Sequence, residues 1–309
     1  IEKLYNAKPD DPNNIKGMLF IARSQADQAN ILKYSSELVK KYKSLDNQIV
    51  ELESLLEIGL LDEAKGKIES LTERYPNDPR LAFLNAWLTA KQGKLADALK
   101  LANRNLELDS LNPRAWRLRG QINAAMNNIN DAINDYQKSK SYSDNADVRI
   151  DLARAYARNN AVEQAIAELK IAADDFGSVL ARNMLEEMYY STGNVQSINK
   201  FYEETLAKFP NNVYWYNHAG NFALTNKEYE KAYKYFDTAF QNSLKVNSEQ
   251  PDAEAFDGRM RTLLLTKKYE QLQAEATKYL DTALAPIAYE RMAEAKASIG
   301  DKDAALQYF

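Results

Sequence analysis

Alanine recurs along this chain at a nearly fixed interval. The segments GLLDEAKGKI, GKLADALKLA and NINDAINDYQ align with one another, and their central alanines, Ala64, Ala98 and Ala132, stand 34 residues apart each time. The register continues through Ala165, Ile198, Ala232, Leu272 and Ala305, in steps of 33, 33, 34, 40 and 33 residues. Such a period constrains the fold more tightly than composition does, because it marks a stack of like units. With only 10 Gly and 8 Pro and no Gly/Ser linker, the units are expected to be long helices joined by short turns.

Other residues keep the same register. Trp116 and Gly120 accompany Ala132 and Tyr136; Leu152, Ala153 and Tyr156 accompany Ala165, Leu169 and Ala172; Tyr216 and Gly220 accompany Ala232, Phe236 and Ala239. In these residues and this period the chain resembles the tetratricopeptide repeat family, whose unit is a pair of antiparallel helices carrying W-x2-L-G-x2-Y, then A-x3-F, then P. The resemblance implies an all-α, right-handed superhelical solenoid of tandem hairpins, forming one domain over 1–309. Eight hairpins are expected at 13–45, 46–79, 80–112, 113–145, 146–178, 179–212, 213–252 and 253–285, with a partial one at 286–309. The pattern is clearest over 113–145, 146–178 and 213–245 and faintest at 13–45. Arg119 departs from the usual leucine, Asn123 from the usual aromatic, and Ile198 and Leu272 from the usual small residue.

Packing explains why the repeat wants these residue types. Small side chains at its eighth and twentieth positions let the two helices approach, and large ones at the fourth, seventh, eleventh and twenty-fourth fill the space between hairpins. A bulky replacement of Ala165 or Gly120 should therefore jam a hairpin. Asp78-Pro79 and Asn112-Pro113 read as N-caps followed by proline at the first helical position, and Gly177-Ser178 as a helix stop and a new cap. The 40-residue step puts extra residues into 241–252, as a lengthened second helix and a longer loop before Pro251. Counting back from Pro12 places Leu4 and Ala7 inside a second helix, so the array is expected to continue beyond both ends.

Composition closes several functional classes. The net charge is -4, from 44 acids and 40 bases, so no basic field draws the chain to nucleic acid. There is no cysteine and one histidine, His218, which removes thiol nucleophiles, disulfides and Cys/His zinc sites. Carboxylate pairs such as Asp62/Glu63 and Glu186/Glu187 fall on helix surfaces, and no glycine-rich phosphate loop occurs. No catalytic, metal or cofactor site is expected. No apolar stretch approaches a membrane span, and the opening IEKLYNAKPD is neither a signal peptide nor an initiator methionine.

In the tetratricopeptide family the concave wall is lined by the second, fifth, ninth, twelfth and thirteenth positions of each first helix. The resemblance places Arg114, Arg117, Gln121, Arg154 and Arg158 there, followed by Asn183, Glu187, Asn217 and Asn221. Upstream, Arg80, Phe83 and Trp87 take equivalent places, although AFLNAWLTA is apolar nearly all round and Trp87 reads as core. Guanidinium forks suit carboxylates and asparagines suit a peptide backbone, so an acidic or C-terminal peptide is the expected ligand. The competing reading is a solvated face whose arginines pair with acids on the next hairpin. The chaperone-binding carboxylate clamp of the family is not matched, and His218 lies beside the groove residues. The resemblance thus implies a non-catalytic protein-interaction scaffold, bacterial in character, with the envelope favoured over the cytoplasm. A regulatory or targeting domain of a larger enzyme and a self-assembling scaffold stay open.

Overall fold

A computed structural model describes residues 2–308. Among these, helices follow one another in pairs, with no strand. A short α1 (Glu2–Ala7) precedes the hairpins α2 (Pro12–Ser24)/α3 (Gln28–Lys41), α4 (Leu45–Ile58)/α5 (Leu61–Arg74) and α6 (Pro79–Lys91)/α7 (Leu95–Leu108). Next come α8 (Pro113–Ala125)/α9 (Ile129–Tyr142) and α10 (Ala146–Arg158)/α11 (Val162–Asp174), and then, in sequence, α12 (Val179–Thr192) and α13 (Val195–Lys208). The last pairs are α14 (Val213–Thr225)/α15 (Tyr229–Val246), α16 (Ala253–Leu265)/α17 (Tyr269–Ala276) and α18 (Ala285–Ser298)/α19 (Lys302–Leu306). The chain divides into two compact units, Ile1–Met188 and Tyr189–Phe309. At 18 residues, α15 absorbs part of the long repeat step, and 247–252 form the loop that follows it.

Two kinds of turn alternate. First helices start on side-chain caps: Asp78 Oδ1 accepts the Arg80 N–H at 2.9 Å and Asn112 Oδ1 accepts that of Arg114 at 3.0 Å, each with proline at the first helical position. Within the hairpins the chain instead reverses through one left-handed residue. Glycine serves this purpose at Gly59 and Gly93, but Asn127, Asn160, Lys227 and Lys267 do so in later repeats, with φ between 58° and 65°. A Cβ in that region costs about 1 kcal/mol or more. Lys227→Gly is therefore expected to raise the stability of the α14/α15 hairpin by about 0.5–1 kcal/mol, read as a higher urea midpoint; an unchanged or lower midpoint would contradict the strain.

How closely a hairpin shuts follows from its eighth residue. In the first unit, α6/α7, α8/α9 and α10/α11 pack tightly on Ala86, Gly120 and Ala153, and in the second α14/α15 does so on Gly220. A Cβ on Gly120 would sit 2.7 Å from the Tyr136 ring, and one on Gly220 would sit 2.8 Å from that of Phe236. Where the same place holds Leu19 or Leu52, both buried, the two helices pack less closely over a similar length.

Three hairpins also carry an ion pair between the seventh and twenty-third residues of the repeat. Arg119 meets Asp135 with Nη2 to Oδ1 at 2.6 Å and Nε within 3.1 Å of both carboxylate oxygens, while Asn123 Nδ2 donates to Oδ2 at 2.9 Å. Arg259 pairs likewise with Glu275, and Glu51 with Lys67 in the opposite sense. The departures at Arg119 and Asn123 thus form a single polar network around a buried Asp135.

Candidate peptide-binding wall

In the first unit the fifth and ninth residues of two consecutive first helices converge. Phe83 and Trp87 of α6 face Arg117 and Gln121 of α8, with Arg114 and Leu118 completing a cavity of about 240 Å³. Phe83 and Trp87 are one helical turn apart, with ring centroids 6.1 Å from each other. Trp87 packs against the core, as its sequence context suggests, but is only partly buried and also lines this cavity; Phe83, at 8% exposure, is the buried member.

The guanidinium groups on the wall are already engaged. Arg114 lies over the Phe83 ring, 4.9 Å from its centroid, and its Nη1 is 2.8 Å from Glu53 Oε1, yet 58% of its side chain stays exposed. Arg117 Nε is 2.7 Å from Asp151 Oδ2 and its Nη1 3.2 Å from Asp147. Burial opposes the Arg117 charge, but Asp151 and Asp147 outweigh it and raise the arginine's pKa, so this cation is held firmly. Asp151 also accepts from Gln121 Nε2 at 3.0 Å and lies 3.7 Å from Arg154. Arg158 turns away, donating to the Ala124 carbonyl and to Asn127 Oδ1 at 2.8 and 3.0 Å. Arg80 pairs with Asp46 and Asp78.

Of the expected groove residues, the structure therefore brings Arg114, Arg117 and Gln121 into one cavity, ties Arg154 to it through Asp151, and directs Arg158 elsewhere. On α12, Glu187 is exposed, whereas Asn183 is half-buried with an Oδ1 that meets no partner. In the second unit, Asn217 Nδ2 donates to Asp252 at 2.8 Å and Asn221 Nδ2 to Glu254 at 2.8 Å, so both asparagines tie α14 to the start of α16. The His218 ring lies 4.0 Å from that of Tyr214. Sequence reasoning did not pick out Leu118; its competing reading, arginines paired with acids on the next hairpin, holds for Arg117 with Asp147 and Asp151, but not for Arg114, whose partner Glu53 lies two hairpins back.

Comparison with known proteins agrees with this geometry. The family model described as tetratricopeptide repeat matches residues 51–113 and 84–146. No curated protein matches the sequence. Similar solved structures include a thermophilic tetratricopeptide protein of Thermus thermophilus, 14% identical over 58% of this chain and 100% of that one, with a TM-score of 0.53. The C-terminal part of a tetratricopeptide repeat-containing protein of Cytophaga hutchinsonii is 14% identical over 84% of this chain and 99% of its own, with a TM-score of 0.53. The Cut9–Hcn1 hetero-tetramer of APC/C is 13% identical over 99% of this chain, at a TM-score of 0.55. The chain spans 56% of that protein, about half its length. At these identities the structures share the fold. The protein is a tandem array of two-helix repeats of the protein-interaction type. Over 51–146 it carries the tetratricopeptide repeat family's own pattern, and along its length it shares the fold of tetratricopeptide arrays.

Proposed function

We propose that this array is a non-catalytic scaffold that holds an extended segment of a partner protein against α6 and α8. The observation that carries the reading is the partly exposed Trp87, left open beside Phe83 and the Arg114 guanidinium where tight core packing would have covered it. An aromatic or aliphatic side chain of the partner fits this cavity. A neighbouring carboxylate then takes Arg114 from Glu53, since that exposed pair is worth little in water. The engaged Arg117 and Arg154 shape the wall instead of supplying free charge. Tetratricopeptide repeats generally mediate protein–protein interaction, and a central Trp is a common anchor of such interfaces.

The test is affinity capture from an extract of the source organism, comparing the native chain with Trp87→Ala and Arg114→Glu variants whose helicity circular dichroism shows unchanged. A partner that the native chain retains and Trp87→Ala loses, with affinity reduced roughly 30-fold or more for a hot-spot tryptophan, is the expected result. The same partners bound equally by all three proteins would place binding elsewhere.

A further inference from the structure

In the second unit the groove positions turn acidic. On α16 and α18 the second, fifth and ninth residues of the repeat are Glu254, Asp257 and Arg261, then Ile287, Glu290 and Glu294. Arg291 is shared among three of these acids, 2.7 Å from Asp257, 2.6 Å from Glu294 and 3.4 Å from Glu290, while Arg261 comes no nearer to Asp257 than 4.0 Å. Glu254 is exposed and forms no ion pair with any of the described residues.

The repeat supplies its own comparison. In the first unit Arg117, the fifth residue of its repeat, lies 3.2 Å from Asp147, the second residue of the next. In the second unit the same places hold Asn217 and Glu254, and only neutral amides reach the carboxylate: Asn221 Nδ2 donates to Oε1 at 2.8 Å and Asn217 Nδ2 to Oε2 at 3.4 Å. Glu254 is thus held in place without being neutralised. Asn217 adds an independent sign. It is 2% exposed, its Nδ2 is committed to Asp252 and Glu254, and its Oδ1 has no hydrogen-bond partner. A buried acceptor without a donor is costly. What the carboxylate and the amide oxygen both lack is a cation rich in N–H donors, which describes a guanidinium. No three acids or histidines among the described residues are grouped as a metal ion requires.

We infer that this wall of α14, α16 and α18 is a docking site for a basic segment of a partner protein, with one arginine seated on Glu254. Charge complementarity selects the occupant. Glu254, Asp257, Glu290 and Glu294 outnumber Arg261 and Arg291, so a cationic segment gains a charge-assisted hydrogen bond at Glu254 and attraction along the wall, whereas an acidic segment is repelled. Every residue of this site belongs to the second unit, and none lines the cavity of α6 and α8.

The probe is the peptide acetyl-Ala-Arg-Ala-Arg-Ala-amide, set against its acetyl-Ala-Glu-Ala-Glu-Ala counterpart and followed on the whole chain by 15N NMR of the Asn217 and Asn221 side-chain amides. The basic peptide is expected to shift both amides and the acidic peptide neither. Glu254→Gln, an exposed and nearly isosteric change, should weaken binding of the basic peptide about tenfold. Asn221→Arg, which supplies a cation from the chain itself as Arg117 does in the first unit, should weaken it at least as much, read at Asn217. Trp87→Ala should change nothing, which keeps this site apart from the groove reading. No shift with the basic peptide, equal response to both peptides, full affinity in Glu254→Gln, or loss in Trp87→Ala would each overturn the proposal.

Discussion

Asp135→Ala is expected to be among the most damaging single substitutions in the chain, lowering stability by about 3–5 kcal/mol. The carboxylate is 2% exposed and accepts from Arg119 and Asn123, so its removal leaves a charged donor and an amide facing a cavity in the α8/α9 hairpin. Arg119 has partial alternatives, since its Nη1 reaches Asn103 Oδ1 at 2.9 Å and its guanidinium lies over Trp116. Asn123, at 5% exposure, has none as good. Replacing the whole network, Arg119→Leu with Asn123→Leu and Asp135→Leu, should recover most of the loss, because it exchanges a buried polar cluster for apolar packing and leaves no donor unpaired. Hydrogen exchange in α8 and α9 is the right readout, since repeat arrays open locally and a global midpoint can hide one hairpin. Protection in Asp135→Ala within about 1 kcal/mol of native would refute the network's importance.

The same hairpin shows what was and was not legible in the sequence. The period and the small residues at Gly120, Ala153 and Gly220 announce helices in tight pairs, because close approach leaves a mark on every repeat. Arg119 and Asn123 are visible only as departures from the pattern. Their meaning depends on Asp135, on the facing helix sixteen residues from Arg119, and a one-dimensional register does not say which charges face each other. The left-handed turns are concealed for a related reason. Backbone geometry repeats at Gly59, Asn127 and Lys227 while the residue type does not.

For the binding wall, spacing was enough to put Arg114, Arg117 and Gln121 on one face, since first helices stack in register. It did not reveal how far each charge is spent. Glu53 lies 61 residues from Arg114, and Asp151 lies 34 from Arg117. The stacking of hairpins alone brings these pairs together. Hydropathy also favoured a core role for Trp87, because apolar residues surround it in α6. The cavity that Trp87 shares with Arg114, Arg117, Leu118 and Gln121 of α8 belongs to the stacking of hairpins, which hydropathy along one helix does not report.

Gly258→Ala is the second substitution expected to cost most, about 3 kcal/mol, although it adds one methyl group. A Cβ at Gly258 would stand 2.4 Å from the Phe236 ring, closer than Cβ atoms come to any neighbour. The ring cannot retreat, because a Cβ at Gly220 would likewise lie within 2.8 Å of it, so Phe236 is clasped between glycines of two successive first helices and is fully buried. Relief must come from backbone movement of α14 or α16. Phe236→Leu should therefore rescue Gly258→Ala: the double variant is expected to be more stable than the glycine substitution alone, even though Phe236→Leu destabilises the native chain by about 1 kcal/mol or more. Gly66→Ala serves as the control, since its new Cβ meets open space and the change is expected to stabilise α5 by about 0.5–1 kcal/mol. Denaturation midpoints of the four variants test the argument directly. Equal effects of alanine at Gly66 and at Gly258 would mean that helix propensity, and not the clasp on Phe236, governs both positions.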